Sequence, residues 1–256
     1  MRLFTSLFHA ALAFFGYLGI HYAFAYTLLL PTAGYTICAN LTAVAVSAAI
    51  FCWQKRRPLQ TAGLHPIRLT NVFAALGAGV GFSLLVRLAM LTIAVPEAWS
   101  ESYAERVELV SQSPVWLRYL SSIAVAPFAE EWVFRGLIYR RLKGTVPCIV
   151  AVVLSSVLFA ALHGTIVWML YTFVLGGLLC VLYEKTRSLW ACVACHIAFN
   201  VMGQVPLVGT LPDAVAGGIF IVGAIVFVAA MWYVLRRNVA ATSPPVRRIG
   251  NSGEIS

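Results

Sequence analysis

At 256 residues the chain has room for one or two soluble domains, but 61% of it is apolar, 11% is charged and its mean hydropathy is +0.87, which excludes a soluble protein and indicates a multi-pass membrane protein. A net charge of +9 would suit a nucleic-acid binder, yet fourteen of the eighteen Lys and Arg residues fall in loops or tails flanking apolar runs, as in cytoplasmic membrane loops. The expected partner is therefore the lipid bilayer and not nucleic acid.

From the N-terminus, Met1-Arg2, an apolar run and Ala23-Phe24-Ala25 resemble a signal peptide. The run continues through Leu30, long enough for the roughly 20 residues a span requires, so a retained first span is expected. Apolar segments follow at about 37–53, 72–95, 116–140, 146–163, 166–183, 189–204 and 214–235, making eight with the first at about 7–30. The fold class this implies is all-α, a polytopic transmembrane helical bundle of about eight spans. Residues 1–237 form one membrane-embedded domain with its motif-bearing core at about 116–204, and 238–256 form a disordered cytoplasmic tail. Arg2, the 55–68 loop, the 140–143 loop, Lys185, Arg187 and the basic residues from Arg236 onward alternate with acid-rich loops, which places both termini in the cytoplasm.

Cys38, Cys52, Cys148, Cys180, Cys192 and Cys195 lie in or beside apolar runs and read as small buried hydrophobes. Gly77, Gly79 and Gly81, Gly176-Gly177 and Gly217-Gly218 are small-residue sites for close helix packing. The acids of the exterior loop from Pro96 to Pro114 recur at helical spacing, but a solvated connector is the expected reading over a surface-lying amphipathic helix. Arg87, inside the third span, is expected to be a structural partner of Glu130 or Glu131 or to snorkel; the functional alternative is a counter-charge for a substrate carboxylate.

The chemistry concentrates in 126–143, where Glu130, Glu131 and Arg135 interrupt an otherwise lipid-soluble helix. Ionised groups in hydrocarbon are costly and mark functional sites. Glu131 and Arg135, spaced i and i+4 with the acid first, form a favourable helical ion pair. Glu130 then points about 100° away around the helix. Two later segments supply polar partners: His163 after Phe159-Ala-Ala-Leu, and His196-Ile-Ala-Phe-Asn200, whose His and Asn share a helix face. A carboxylate and an imidazole converging on one water make a general-base site, and His196 and Asn200 carry donors for an oxyanion. The reaction this suggests is amide hydrolysis by activated water. Glu130 and His196 fall near the midplane by residue count and His163 in the outer half, so convergence requires tilt or an irregular helix, for which Pro127 provides a kink.

Glu130-Glu131-x-x-x-Arg135, Phe159-x-x-x-His163 and His196-x-x-x-Asn200, in that order on successive membrane helices, resemble the three motifs of the CAAX prenyl protease and bacteriocin-processing family, also called the Abi family. The resemblance covers residues 120–203. It implies an intramembrane endopeptidase in which Glu130 and His163 activate water, His196 and Asn200 form the oxyanion site, and Glu131 and Arg135 support the architecture. Members have been described both as metalloproteases and as glutamate proteases. Glu130, His163 and His196 are suitable zinc donors, but the metal-free, cofactor-free reading is favoured. Substrates implied are a C-terminal membrane anchor, a leader peptide or a prenylated tail on a membrane-anchored protein, and clean positive-inside loops favour the plasma membrane of a prokaryote. A site opening outward fits exported, membrane-anchored substrates.

Cys192-Val-Ala-Cys195-His196 matches a c-type haem attachment pattern, accidentally so, because it lies inside an apolar span. A proton-coupled transporter and a non-catalytic immunity or scaffold protein of the same family are the alternatives. No inverted repeat supports the first, and a scaffold has no need of the complete polar set.

Overall fold

Proline decides where four of the helices begin. Pro31, Pro96, Pro114 and Pro147 each occupy the residue before a helix, where a missing N–H costs no intrahelical bond. In the computed structural model, which describes residues 2–207 and 212–236, the order is α1 Arg2–Thr27, α2 Thr32–Trp53, a short α3 Pro58–Ala62, α4 Leu69–Thr92, α5 Glu97–Ser111, α6 over 115–143, α7 Cys148–Ala161, α8 Ile166–Thr186, α9 Leu189–Gln204 and α10 Asp213–Arg236. The described residues contain no strand. The tail at 238–256, the basic residues beyond Arg236 and Met1 lie outside the described residues.

Each of the eight expected apolar segments coincides with a helix. Five helices are long and apolar enough to cross a membrane: α1 from Leu3, α2, α4, α8 and α10; α7 and α9 are apolar but shorter. The chain is an all-α, multi-pass membrane bundle.

The charged helix α6 is the enclosed one. Its Trp132, Phe134, Ile138 and Tyr139 are fully buried with Phe159 of α7 and Leu175, Leu179 and Leu182 of α8. Phe4, Phe8 and Phe15 of α1 and Ile221, Ile225 and Val228 of α10 point outward instead, as lipid-facing side chains do. Glu131 and Arg135 thus avoid hydrocarbon because protein surrounds their helix. Along α6, 120–125 and 132–139 are wound as π-helix: the Ala126 N–H reaches the Ser121 carbonyl, and the Arg140 N–H that of Arg135. Pro127 has no N–H to give, so the regular ladder cannot pass through it, and wider turns accommodate the break. This is the irregularity that convergence of the motifs requires.

Close packing fixes α4. A Cβ on Gly79 would stand 2.1 Å from the Cys195 carbonyl oxygen of α9, and one on Gly81 would stand 2.6 Å from the Gly223 carbonyl oxygen of α10. A Cβ on Gly176 of α8 would stand 3.0 Å from Ser156 of α7. Gly217 and Gly218, expected to serve the same purpose, meet nothing within 4 Å. The cysteines divide: Cys180, Cys192 and Cys195 are buried as expected, whereas Cys52 and Cys148 are exposed at helix ends.

The two ends of the bundle differ. At one, the Leu189 N–H donates to Gly63 O at 3.0 Å, Arg140 donates to Thr61 O, Ser188 to His65 O, Lys143 to Glu184, and Lys185 to Leu235 O. This end gathers the basic loops. The opposite end carries α5, so that the segment between Pro96 and Pro114, read as a solvated connector, is helical and has no fully buried residue. Its Tyr103, Arg106, Val107 and Val110, spaced i, i+3, i+4 and i+7, line one cavity, and the Tyr103 ring meets Trp168 of α8 edge-on at 6.1 Å. Helical spacing of its side chains decides this face.

Candidate active site

Glu131 and Arg135 are both fully buried and paired at 2.9 Å, Oε1 to Nη1. Two further contacts lock the guanidinium: Nη2 donates to the Gly176 carbonyl at 3.0 Å, and Cζ lies 4.5 Å over the Phe159 ring. The close approach of α8 through Gly176 brings that carbonyl within reach. Phe159 also meets His163 and His196 edge-on, at 5.0 and 5.8 Å between centroids. One aromatic ring therefore supports the arginine and both histidines.

Glu131 does a second job that its spacing to Arg135 did not reveal. The same Oε1 lies 2.9 Å from Nδ1 of His196. With Nδ1 engaged there, Nε2 is the nitrogen left to face Glu130, 3.8 Å from its Oε2. The two adjacent carboxylates flank one imidazole: Glu131 has no exposed side-chain surface, whereas Glu130 is 16% exposed and reaches the cavity.

His163 follows the end of α7 in the short turn before α8, with Gly164 at φ +79° completing the reversal. Such a backbone favours glycine, which lacks the Cβ that disfavours positive φ. The His163 Nδ1 is 3.0 Å from the Phe159 carbonyl, and its ring lies 5.7 Å from that of Trp168. Asn200, one turn beyond His196 on α9, donates from Nδ2 to the Ser122 carbonyl at 2.7 Å, inside the first π-wound stretch of α6.

Glu130, His163, His196 and Asn200 all line one cavity of about 970 Å³, within the size range of small-ligand and peptide sites. Glu130 makes its one ion pair among the described residues with His196, not His163. The remaining wall comes from residues near the end of the bundle opposite the basic loops, including Ala25, Thr32, Leu91, Arg118 and Gln204.

Arg87 lines this cavity but is not paired with Glu130 or Glu131. Its two terminal nitrogens donate to the Val205 and Gly203 carbonyls at 2.6 and 2.5 Å, at the C-terminal end of α9. Free carbonyls at a helix end attract a cation, and they hold Arg87 where a carboxylate was expected to. As for zinc, no three His, Cys, Asp or Glu side chains among the described residues are grouped to hold a metal ion.

Two wall residues were not anticipated. Tyr17 and His21, one turn apart on α1, meet with ring centroids 4.5 Å apart and planes tilted by 52°, and the Tyr17 hydroxyl donates to Asn40 Oδ1 at 2.6 Å. The available signal was an imidazole within an apolar span, spaced i+4 from a tyrosine.

Comparison with curated proteins and with solved structures gave no match. Residues 112–202 match the family model described as type II CAAX prenyl endopeptidase Rce1-like, a stretch that begins just before α6 and ends within α9. It contains all four polar residues of the cavity's inner wall named in the sequence motifs and leaves the first five helices outside. Over residues 112–202, about a third of its length, the chain is thus similar to the Rce1-like type II CAAX prenyl endopeptidases.

Proposed function

We propose that the chain is an intramembrane endopeptidase that hydrolyses a peptide bond in a membrane-anchored protein or peptide. The observation that carries this reading is the meeting of Glu130, His163, His196 and Asn200 on the wall of one cavity inside an apolar bundle. Glu130 and His163 activate a water between them, Glu130 taking the proton as the water oxygen attacks the carbonyl carbon. His196 and Asn200 stabilise the oxyanion: Nδ1–H of His196 donates to Glu131, Nε2 turns a second N–H to the cavity when the ring, flanked by two carboxylates, is the imidazolium, and the Asn200 Nδ2 has a second hydrogen beyond the one given to Ser122. As the C–N bond breaks, the proton on Glu130 passes to the departing amine. No covalent intermediate and no metal is required.

The basic loops support a reading in which the tied end of the bundle, and both termini, lie in the cytoplasm of a prokaryotic cell. The cavity then faces outward, which suits exported, membrane-anchored substrates better than cytoplasmic prenylated ones.

The test is quantitative proteomics of membrane and secreted fractions from cells carrying the wild-type chain or Glu130→Gln, reading terminal peptides of every anchored protein. A small set of proteins that keep a hydrophobic segment only in the mutant is the expected result. Unchanged termini, with the mutant chain at normal abundance, would overturn the protease reading.

A further inference from the structure

The cavity wall carries one carboxylate, Glu130, and three arginines, Arg87 of α4, Arg106 of α5 and Arg118 of α6. Glu130 is already opposite His196. None of the three arginines has a carboxylate within ion-pair distance among the described residues. Arg87 gives its terminal nitrogens to backbone carbonyls, which leaves its charge uncompensated by an acid, and the Nε of Arg118 is buried without a partner.

The sorting of charge on α5 makes the same point from the sequence. Its acids, Glu97, Glu101, Glu105 and Glu108, are absent from the cavity wall, whereas Arg106 stands on it between Tyr103 and Val110. A cation on a merely solvated helix would pair with the neighbouring acids, and Arg106 turns from all four into the cavity. Arg87 and Arg106 also lie outside the 112–202 stretch that matches the family model.

We propose that Arg106 and Arg118, backed by Arg87, form an anion subsite that binds a carboxylate of the peptide entering the cavity from the end opposite the basic loops. The guanidinium suits a carboxylate because its planar fork presents paired N–H donors. The carboxylate is either an Asp or Glu side chain beside the scissile bond or the peptide's own C-terminus. This rests on the protease reading for the identity of the ligand as substrate, but the subsite can be tested by binding alone.

The experiment uses the full chain in nanodiscs of neutral phosphatidylcholine and three fluorescent peptides sharing one apolar segment: one with Asp and an amidated C-terminus, one with Asn and a free C-terminus, and one with Asn and an amide. Fluorescence polarisation gives the affinities. At least one carboxylate peptide is expected to bind about tenfold tighter than the neutral one, the scale of one charge-assisted bond, and Arg106→Gln and Arg118→Gln should each abolish that preference while leaving neutral-peptide binding and thermal stability unchanged. Which peptide is preferred distinguishes a side-chain from a terminal carboxylate. Equal binding of charged and neutral peptides, or a preference surviving both substitutions, overturns the proposal. So does a preference that disappears when phosphatidylglycerol is added to the nanodisc, because the anion is then a lipid phosphate. Cleavage of the same peptides is scored separately: intact selectivity with no cleavage counts against the protease reading and not against the subsite.

Discussion

Glu131 and His196 are joined at 2.9 Å between Oε1 and Nδ1, and the same oxygen is 2.9 Å from Nη1 of Arg135. An acid from α6 thus fixes the ring of a histidine on α9, sixty-five residues later. Neighbouring glutamates acquire opposite duties from this: Glu131 is sealed and orients, while Glu130 is left facing the cavity.

Glu131→Gln is therefore expected to behave as a stability mutant and Glu130→Gln as a catalytic one. Removing the Glu131 charge leaves Arg135 buried and uncompensated, a loss on the order of 3–5 kcal/mol. Thermal unfolding of the purified chain in detergent should show a marked drop for Glu131→Gln. Glu130→Gln should unfold near the wild-type temperature while processing falls by about 10²–10⁴-fold. Equal stability of the two variants would contradict the division of roles.

Phe159 touches Arg135, His163 and His196 at once. Replacing it with Leu keeps much of the volume but removes the ring face, costing about 1–2 kcal/mol of cation–π interaction at a desolvated site. Turnover should fall more than stability, since both histidine rings lose their support. Comparing processing rate with unfolding temperature in Phe159→Leu checks this; a fall in stability alone would confine the ring to structure.

Glycine positions offer a paired test of packing. A Cβ at Gly79 would stand 2.1 Å from a backbone carbonyl oxygen, while one at Gly217 meets nothing within 4 Å. Gly79→Ala should force α4 away from α9, lowering abundance and activity together, and Gly217→Ala should match the wild type. The readouts are quantitative immunoblotting of the membrane fraction and processing in the same cells.

Access to the site can be read by labelling. Gly203 lines the cavity with open space where a Cβ would stand, and Cys52 is exposed at the far end of α2. In a chain whose other native cysteines are replaced, Gly203→Cys should react with a membrane-impermeant maleimide in intact cells, and Cys52 only after permeabilisation. The reverse pattern would place the cavity on the cytoplasmic side.

What the sequence by itself determined is what repeats locally along the chain. Apolar run length located eight helices, and i, i+4 spacing identified the Glu131–Arg135 pair and the shared face of His196 and Asn200. These are one-dimensional signals, because helix geometry fixes which neighbours meet. Tertiary structure decided everything that depends on which helix lies beside which: that Glu131 reaches His196, that Arg87 finds the carbonyls at the end of α9 rather than a glutamate, that α5 turns Arg106 inward, and that Phe159 supports three charged or polar groups. Those outcomes follow from close approaches at Gly79, Gly81 and Gly176 and from the π-wound turns around Pro127. Spacing along a single helix carries no information about the helix that packs against it.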